Sequence, residues 1–251
     1  MKERRNNFKN TFFLIAAILF VYIILFQFIL PINRFLPRPS LILNSFQLIL
    51  AEYNIANALS NSLLVIYISL IVTFVIIYAN VPHLFKWFVK YKNSFITVSV
   101  FKYIPVFFAM VILNLWFLDK LYGEFIFAVL FCLTISLNKL FSLTGKVKEE
   151  YILVAKNLGL TPMEISERVF WKSIEPEFIK YFEKVHISLW SILLAFEFIG
   201  NTKGLGKAFQ DAFADSNLTA VIIFGILIII LISIGNLIID SFHKIFTSWE
   251  A

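Results

Sequence analysis

Three stretches of this chain run for 20 residues or more without a charged side chain: 11–30, 56–79 and 216–239. About 20 apolar residues in helical form cross the hydrocarbon core of a bilayer. Lipid offers backbone amides no partner, so such a segment satisfies itself as a helix. Composition agrees: 60% of the residues are hydrophobic and 15% charged, with a mean hydropathy of +0.84. Soluble domains are about 45–50% apolar and about 25% charged. A soluble enzyme, a disordered tail and a collagen- or disulfide-built scaffold are thereby excluded. The one cysteine, Cys132, lies in an apolar run and cannot form an intrachain disulfide. The 30 Phe residues reflect codon usage as much as function, and no aromatic pocket is read from them.

Six spans are expected, at 11–30, 56–79, 97–117, 124–143, 181–200 and 216–239. Residues 1–10 are a basic tail with Lys2, Arg4, Arg5 and Lys9, and 11–251 a single transmembrane domain. The first run is too long for a signal-peptide core and no small-residue cleavage site follows it, so it is read as retained. Pro31, Pro37 and Pro39 then break the chain, and 41–53 reads as a short helix at the interface. Asp119, Lys120 and Glu124 mark a short outer turn. Glu183, Lys184, His186 and Glu197 make the fifth span the least apolar. An outer loop with Gly200, Gly204 and Gly206 leads to the sixth.

Positive charge sets orientation. With the N-terminus inside, five of the 22 Lys and Arg residues fall outside (Arg34, Arg38, Lys120, Lys203 and Lys207) and the other 17 inside. The expected fold class is an all-α integral membrane protein with six transmembrane helices, N-in and C-in. The formal charge of +6 serves that orientation. No basic run interleaved with aromatics points to nucleic acid, so the expected non-protein contact is membrane lipid.

The polar connector 146–180 has local structure of its own. Glu149 and Glu150 at the start of 149–158 and Lys156 near its end suit the helix dipole. Gly159 stands where a left-handed residue closes a helix. Thr161-Pro162-Met163-Glu164 has the form of a capping box with Pro at the first helical position. A second helix is expected over 162–171, presenting Met163, Ile165, Val169, Phe170 and Trp171 among charges. Either the connector folds onto its own membrane domain, or it is an amphipathic element that docks into a partner's groove.

Leu153-Val154-Ala155-Lys156-Asn157-Leu158-Gly159, with Arg168-Val169 and Pro176 beyond it, resembles the coupling-loop motif of binding-protein-dependent ABC importer permeases. That motif runs Glu-Ala-Ala, three residues, Gly and a hydrophobic, proline-containing tail. Leu36-Pro37-Arg38-Pro39-Ser40 is similar to a signature of the nitrate/sulfonate/taurine-type subfamily. So are Tyr103-Ile104-Pro105 with Leu115-Trp116-Phe117, and Glu197-Phe198-Ile199-Gly200 with Gly204-Leu205-Gly206. The chain departs from the motif at Leu153, where Glu is usual, and at Lys172, where the tail has its first Pro.

The resemblance implies a permease subunit with no chemistry of its own and no cofactor, ATP and Mg being bound by partner subunits. It implies a second permease copy, usually as a homodimer, two ATPase subunits, and a periplasmic or lipid-anchored solute-binding protein. The setting is the bacterial cytoplasmic (inner) membrane. ATPase coupling then falls to Ala155, Gly159, Leu160, Thr161, Pro162, Met163, Glu164, Ile165, Arg168 and Val169. Rival readings are the membrane coupling subunit of an energy-coupling-factor vitamin transporter and a non-transport scaffold binding a soluble partner.

Polar residues inside the spans are candidates for a translocation path: Asn61, Asn114, Asn138, Ser191 and Glu197. Each competes with a purely structural role, Glu197 with a contact to the outer loop near Lys203. Ser62 of the second span is a further such candidate. Trp116 and Trp190 read as belt or packing residues. His83, His186 and His243 are scattered without ligand spacing, and no P-loop occurs. The only deep charge of the outer half is acidic, and no Arg cluster lies within the spans. That favours a neutral or cationic heterocycle over an anion as solute.

Overall fold

In a computed structural model, residues 13–14, 16–30, 36–90, 105–117, 120–200 and 202–246 are described. They form ten helices in chain order: α1 (Ala16–Ile29), α2 (Pro39–Glu52), α3 (Ile55–Lys90), α4 (Val106–Trp116), α5 (Lys120–Thr144), α6 (Glu149–Asn157), α7 (Pro162–Ile165), α8 (Lys172–Gly200), α9 (Leu205–Ala214) and α10 (Leu218–Phe246). A π-helical segment, Ser166–Trp171, joins α7 to α8. No strand occurs among the described residues.

Three helices are long and apolar enough to cross a membrane: Ile55–Phe85, Leu121–Thr144 and Leu218–Ile245. Two shorter apolar helices, Ala16–Ile29 and Val106–Trp116, fall within the first and third expected spans. The tail 1–10, the start of the first span, Arg34, residues 97–104 of the third span and Asp119 lie outside the described residues.

The least apolar expected span is the hub. Helix α8 packs against α5, α9, α10, α3 and α4. The reason is a stripe at helical spacing: Ile174, Phe178, Phe182, Val185, Leu189, Leu193 and Phe196 are all buried. Lys180 and Lys184 stay exposed on the opposite side. The helix begins at Lys172 rather than at 181, and it follows the π segment without a break, so 162–171 is not a separate helix ending in a loop.

The polar groups on the buried face of α8 are satisfied internally. Trp190 can only donate, and its Nε1 lies 2.9 Å from His186 Nε2. His186 Nε2 is therefore the acceptor, and Nδ1 carries the hydrogen that it donates to Asn236 Oδ1 of α10, at 2.9 Å. Tyr67 of α3 stacks on the same imidazole, with 5.7 Å between ring centroids. Three helices thus meet on one neutral ring, and Trp190 packs inside the bundle rather than in a belt. Trp116, in contrast, is exposed. Asn236→Leu strands a buried N–H and is expected to cost about 1–3 kcal/mol. Thermal unfolding followed by size-exclusion in detergent checks this, with Ser233→Ala, on the exposed side of the same helix, as the neutral control.

Candidate functional site

The candidate residues gather at opposite ends of the bundle. At one end, α6 closes in a Schellman motif: Gly159 has φ +75°, its N–H donates to Lys156 O (3.0 Å), and Leu160 N–H donates to Ala155 O (3.1 Å). Only glycine takes that φ without strain. Thr161 then caps α7. Its Oγ1 accepts from Glu164 N–H (3.3 Å), and Glu164 Oε2 accepts from Thr161 N–H (2.9 Å), a complete capping box. Pro162 occupies the first helical position, Ile165 is buried, and Arg168 reaches back to Glu164 at 3.7 Å.

The connector is tied to the bundle through aromatic rings. Phe170 stacks on Phe85 of α3 at 5.2 Å, Trp171 meets Tyr78 edge-on at 5.8 Å, and Trp171, Phe178 and Phe182 continue the contact along α8. Ser166 Oγ donates to Pro82 O (3.2 Å), and Pro82 lies inside α3. Lys139 and Lys146 of the α5 end clamp Glu177 at 2.9 and 2.8 Å. Lys146 foremost, then Lys139, hold that carboxyl below the usual carboxylate range. Facing away from these anchors, Tyr151, Leu153, Val154, Leu158 and Met163 are exposed, Leu158 by 74%.

At the other end, Glu197 is fully buried. Its Oε1 accepts from Ser62 Oγ (2.6 Å) and its Oε2 from Gly206 N–H (2.6 Å) in the first turn of α9. Ser62 Oγ in turn accepts from Leu205 N–H (2.9 Å). A carboxyl group at a helix N-terminus meets both orphan amides and the positive end of the dipole. Glu124 of α5 is 1% exposed, and its Oε1 is buried with no hydrogen-bond partner among the described residues. It is a buried residue of α5 and not part of an outer turn. A Cβ at position 206 would run into Leu194 O and the Glu197 side chain, so glycine is what lets α9 lie on α8.

Of the path candidates, Asn61 joins this group, its Nδ2 donating to Lys203 O at 3.3 Å. Asn114 donates to Met110 O (3.0 Å) and packs against Gly200, near the same end. Asn138 is half-buried along α5, and Ser191 is exposed with its hydroxyl on Ile187 O. These two do not meet the others. Beside Glu197 a cavity of about 740 Å³ opens between the α2–α3 turn and α9. Among the described residues no three His, Cys, Asp or Glu side chains cluster as a metal site.

Helix α9 itself was hidden in an expected loop. Its signal is present: Leu205, Ala208, Phe209 and Ala212 recur at i, i+3, i+4 and i+7. Glu124 and the Trp190–His186–Asn236 chain carry no such pattern.

Residues 88–249 match the family model of the binding-protein-dependent transport system inner membrane component. The match spans well over half of the chain. The chain belongs to this family. It is thus a membrane-embedded transport component, the class that the resemblance implied, and its family is not one of enzymes. No curated protein matches the chain, and no solved structure does. The match covers the connector of this transport component and, of the Glu197 network, Glu197 and Gly206 but not Ser62.

Two outcomes are expected. Ser62→Ala removes the donor to Glu197 and the acceptor for Leu205 N–H, lowering stability by about 1–3 kcal/mol. In a double-mutant cycle with Glu197→Gln the two changes couple by at least about 0.5 kcal/mol, and strict additivity refutes the network. At the connector, Thr161 N–H and its hydroxyl, helped by Arg168, hold the Glu164 carboxyl below its ordinary range. A folded value below the unfolded one means that the cap contributes at pH above the unfolded range and is lost as pH falls through the folded value. Amide exchange over 162–166, corrected for intrinsic rates, accelerates on acidification, and Glu164→Gln removes that dependence.

Proposed function

We propose that the chain is the permease subunit of an ATP-driven ABC importer of the nitrate/sulfonate/taurine type. It crosses the bacterial cytoplasmic membrane six times, with both termini inside, and works beside a second copy of itself. Two ATPase subunits engage the connector, and an external solute-binding protein delivers solute at the α9 end.

The observation that carries this reading is the connector. Its backbone is fixed by a Schellman motif and a capping box, yet Tyr151, Leu153, Val154, Leu158 and Met163 are left exposed. A polar connector that presents this much apolar surface has a partner to bury it. The aromatic contacts from Phe170 and Trp171 to α3 and α8 supply a stiff route from that partner into the bundle. Closure of the ATPase pair moves α7 and the π segment as a body, and the packed helices follow by rigid alternation rather than local bending. Ala155, Leu160 and Ile165 hold the element against the bundle. Pro162, Met163 and Arg168 complete its outer surface, and Val169 packs partly against the core.

The six-span topology is supported by the position of α1 and α4 within uncharged runs and by the length of α8. The 17-to-5 distribution of Lys and Arg supports N-in and C-in. Mild-detergent purification of the tagged chain is expected to bring an ABC ATPase with it. Gly159→Val forces a β-branched residue into the left-handed region. That variant is expected to stay in the membrane, lose the ATPase on purification, and import about tenfold less solute per ATP hydrolysed, a coupling loss of ~1.4 kcal/mol. Normal import by this variant, or recovery of the chain with a partner lacking an ATPase, overturns the assignment.

A further inference from the structure

The last turn of α8 is ringed by oxygens that have nothing to accept from. A Cβ at position 200 would run into Asn114 Oδ1 of α4, so that oxygen lies against Gly200. The other end of the same carboxamide donates to Met110 O at 3.0 Å. Glu124 of α5 stands one turn before Phe127, whose ring stacks on Phe196 of α8 at 4.7 Å, and Glu197 directly follows Phe196. The two carboxyl groups thus border the same stack, and their charges interact. Thr202 closes the turn, its N–H donating to Glu197 O at 3.4 Å. Asn114 Oδ1, Glu124 Oε1 and Thr202 Oγ1 are all buried without a hydrogen-bond partner among the described residues. Glu124 and Thr202 are 1% and 5% exposed. Neither Glu124 nor Glu197 forms an ion pair among the described residues.

Buried acceptors are normally paired, and an orphaned one calls for a physical reason. Here three meet from α4, from α5 and from the turn after α8. A proton shared by the two carboxyl groups supplies a single O–H, too few for acceptors on three elements. One cation serves them all. The donor atoms are all oxygen, from two carboxyl groups, a carboxamide and a hydroxyl, which suits a hard cation. Such a mixed set differs from a cluster of three acidic, imidazole or thiol side chains, which the described residues do not form. Two carboxyl groups call for two positive charges. An irregular set drawn from separate elements suits Ca²⁺, whose geometry is flexible, better than Mg²⁺, which demands an octahedron.

We propose that Asn114, Glu124, Glu197 and Thr202 form a Ca²⁺ site that ties α4 and α5 to the turn carrying α9. Glu197 keeps its two donors, Ser62 Oγ and Gly206 N–H, and offers the ion the lone pairs that they leave. The site goes beyond the importer reading and does not depend on it.

Thermal unfolding of the full chain, purified in detergent with its co-purifying subunits and stripped with EGTA, tests this. CaCl₂ is expected to raise the unfolding temperature with half-saturation at about 0.1–1 mM, the range of extracellular Ca²⁺ modules. At about tenfold excess over that value the rise is about 3–6 °C. Thr202→Val deletes one orphaned oxygen at nearly constant shape. It is expected to unfold no earlier than the parent in EGTA, yet to need about tenfold more Ca²⁺. Glu124→Gln removes a charge that the ion balances, and is expected to abolish the Ca²⁺ response without loss of stability in EGTA. A residue that serves packing alone would instead lower stability equally with and without the ion. The same rise from MgCl₂, or from NaCl at equal ionic strength, overturns the proposal. So does a Ca²⁺ response that both variants retain unaltered, which marks an adventitious ion only. A rise on acidification with nothing added by Ca²⁺ assigns a shared proton to the pair and removes the cation. Recovery of an ATPase with the chain is independent of all these results, so the importer reading stands or falls separately.

Discussion

A carboxyl group withdrawn from water must find its hydrogen bonds inside the protein or leave the interior. Glu197 finds them in a hydroxyl from α3 and an amide from the first turn of α9. Much of the architecture at that end follows. The chain has to turn back at Gly204 and begin a helix at Leu205, because only a helix N-terminus offers free amides in the right direction. It has to carry glycine at 206, because α9 approaches α8 to the limit that a bare Cα permits. Ser62 has to lie about two turns inside α3, where it can serve both the Glu197 carboxyl group and Leu205 N–H.

The same helix that carries Glu197 reaches the connector at its other end. From Pro162 through the π segment to Gly200 the chain is helical without interruption. At ~1.5 Å per residue this rod runs past the full thickness of a bilayer's hydrocarbon. One end is wedged by aromatic rings against α3, and the other is pinned beneath α9. The π turn is the wide, less favourable stretch of the rod, and it falls between the part fixed by the capping box and the part fixed by packing. A displacement applied at α7 is therefore delivered to the whole length of α8 and does not dissipate in a loop.

Much of this was legible in residues and some was not. Two of the three long uncharged runs, 56–79 and 216–239, fall in helices of spanning length because backbone satisfaction in lipid leaves no alternative, whereas the described part of the first run is the shorter Ala16–Ile29. Gly159 and Thr161-Pro162-Met163-Glu164 were readable because caps are local, set by side chains that bond to their own backbone. Glu124 was misjudged as a turn marker: a charge one turn inside a helix looks the same in sequence as a charge in the turn before it, and its neighbour Glu197 is distant in the chain. The π widening at 166–171 has no sequence pattern that the 3.6-residue period reveals; within it Phe170 and Trp171 pack against α3. Ser62 reads in the sequence only as a path candidate within a span, because its partners come from two later helices.

The polarity of α8 also bears on how the protein is made. A segment entering the membrane is judged while its eventual neighbours are absent, and polar and charged side chains disfavour its insertion. Glu197, His186, Glu183 and Lys184 all fall within the expected fifth span. The surface that receives Glu197 is half built when α8 emerges, since Ser62 and Glu124 precede it, but Gly206 and Asn236 follow it. The polar face of α8 is thus completed only by helices that stand on both sides of it in the chain.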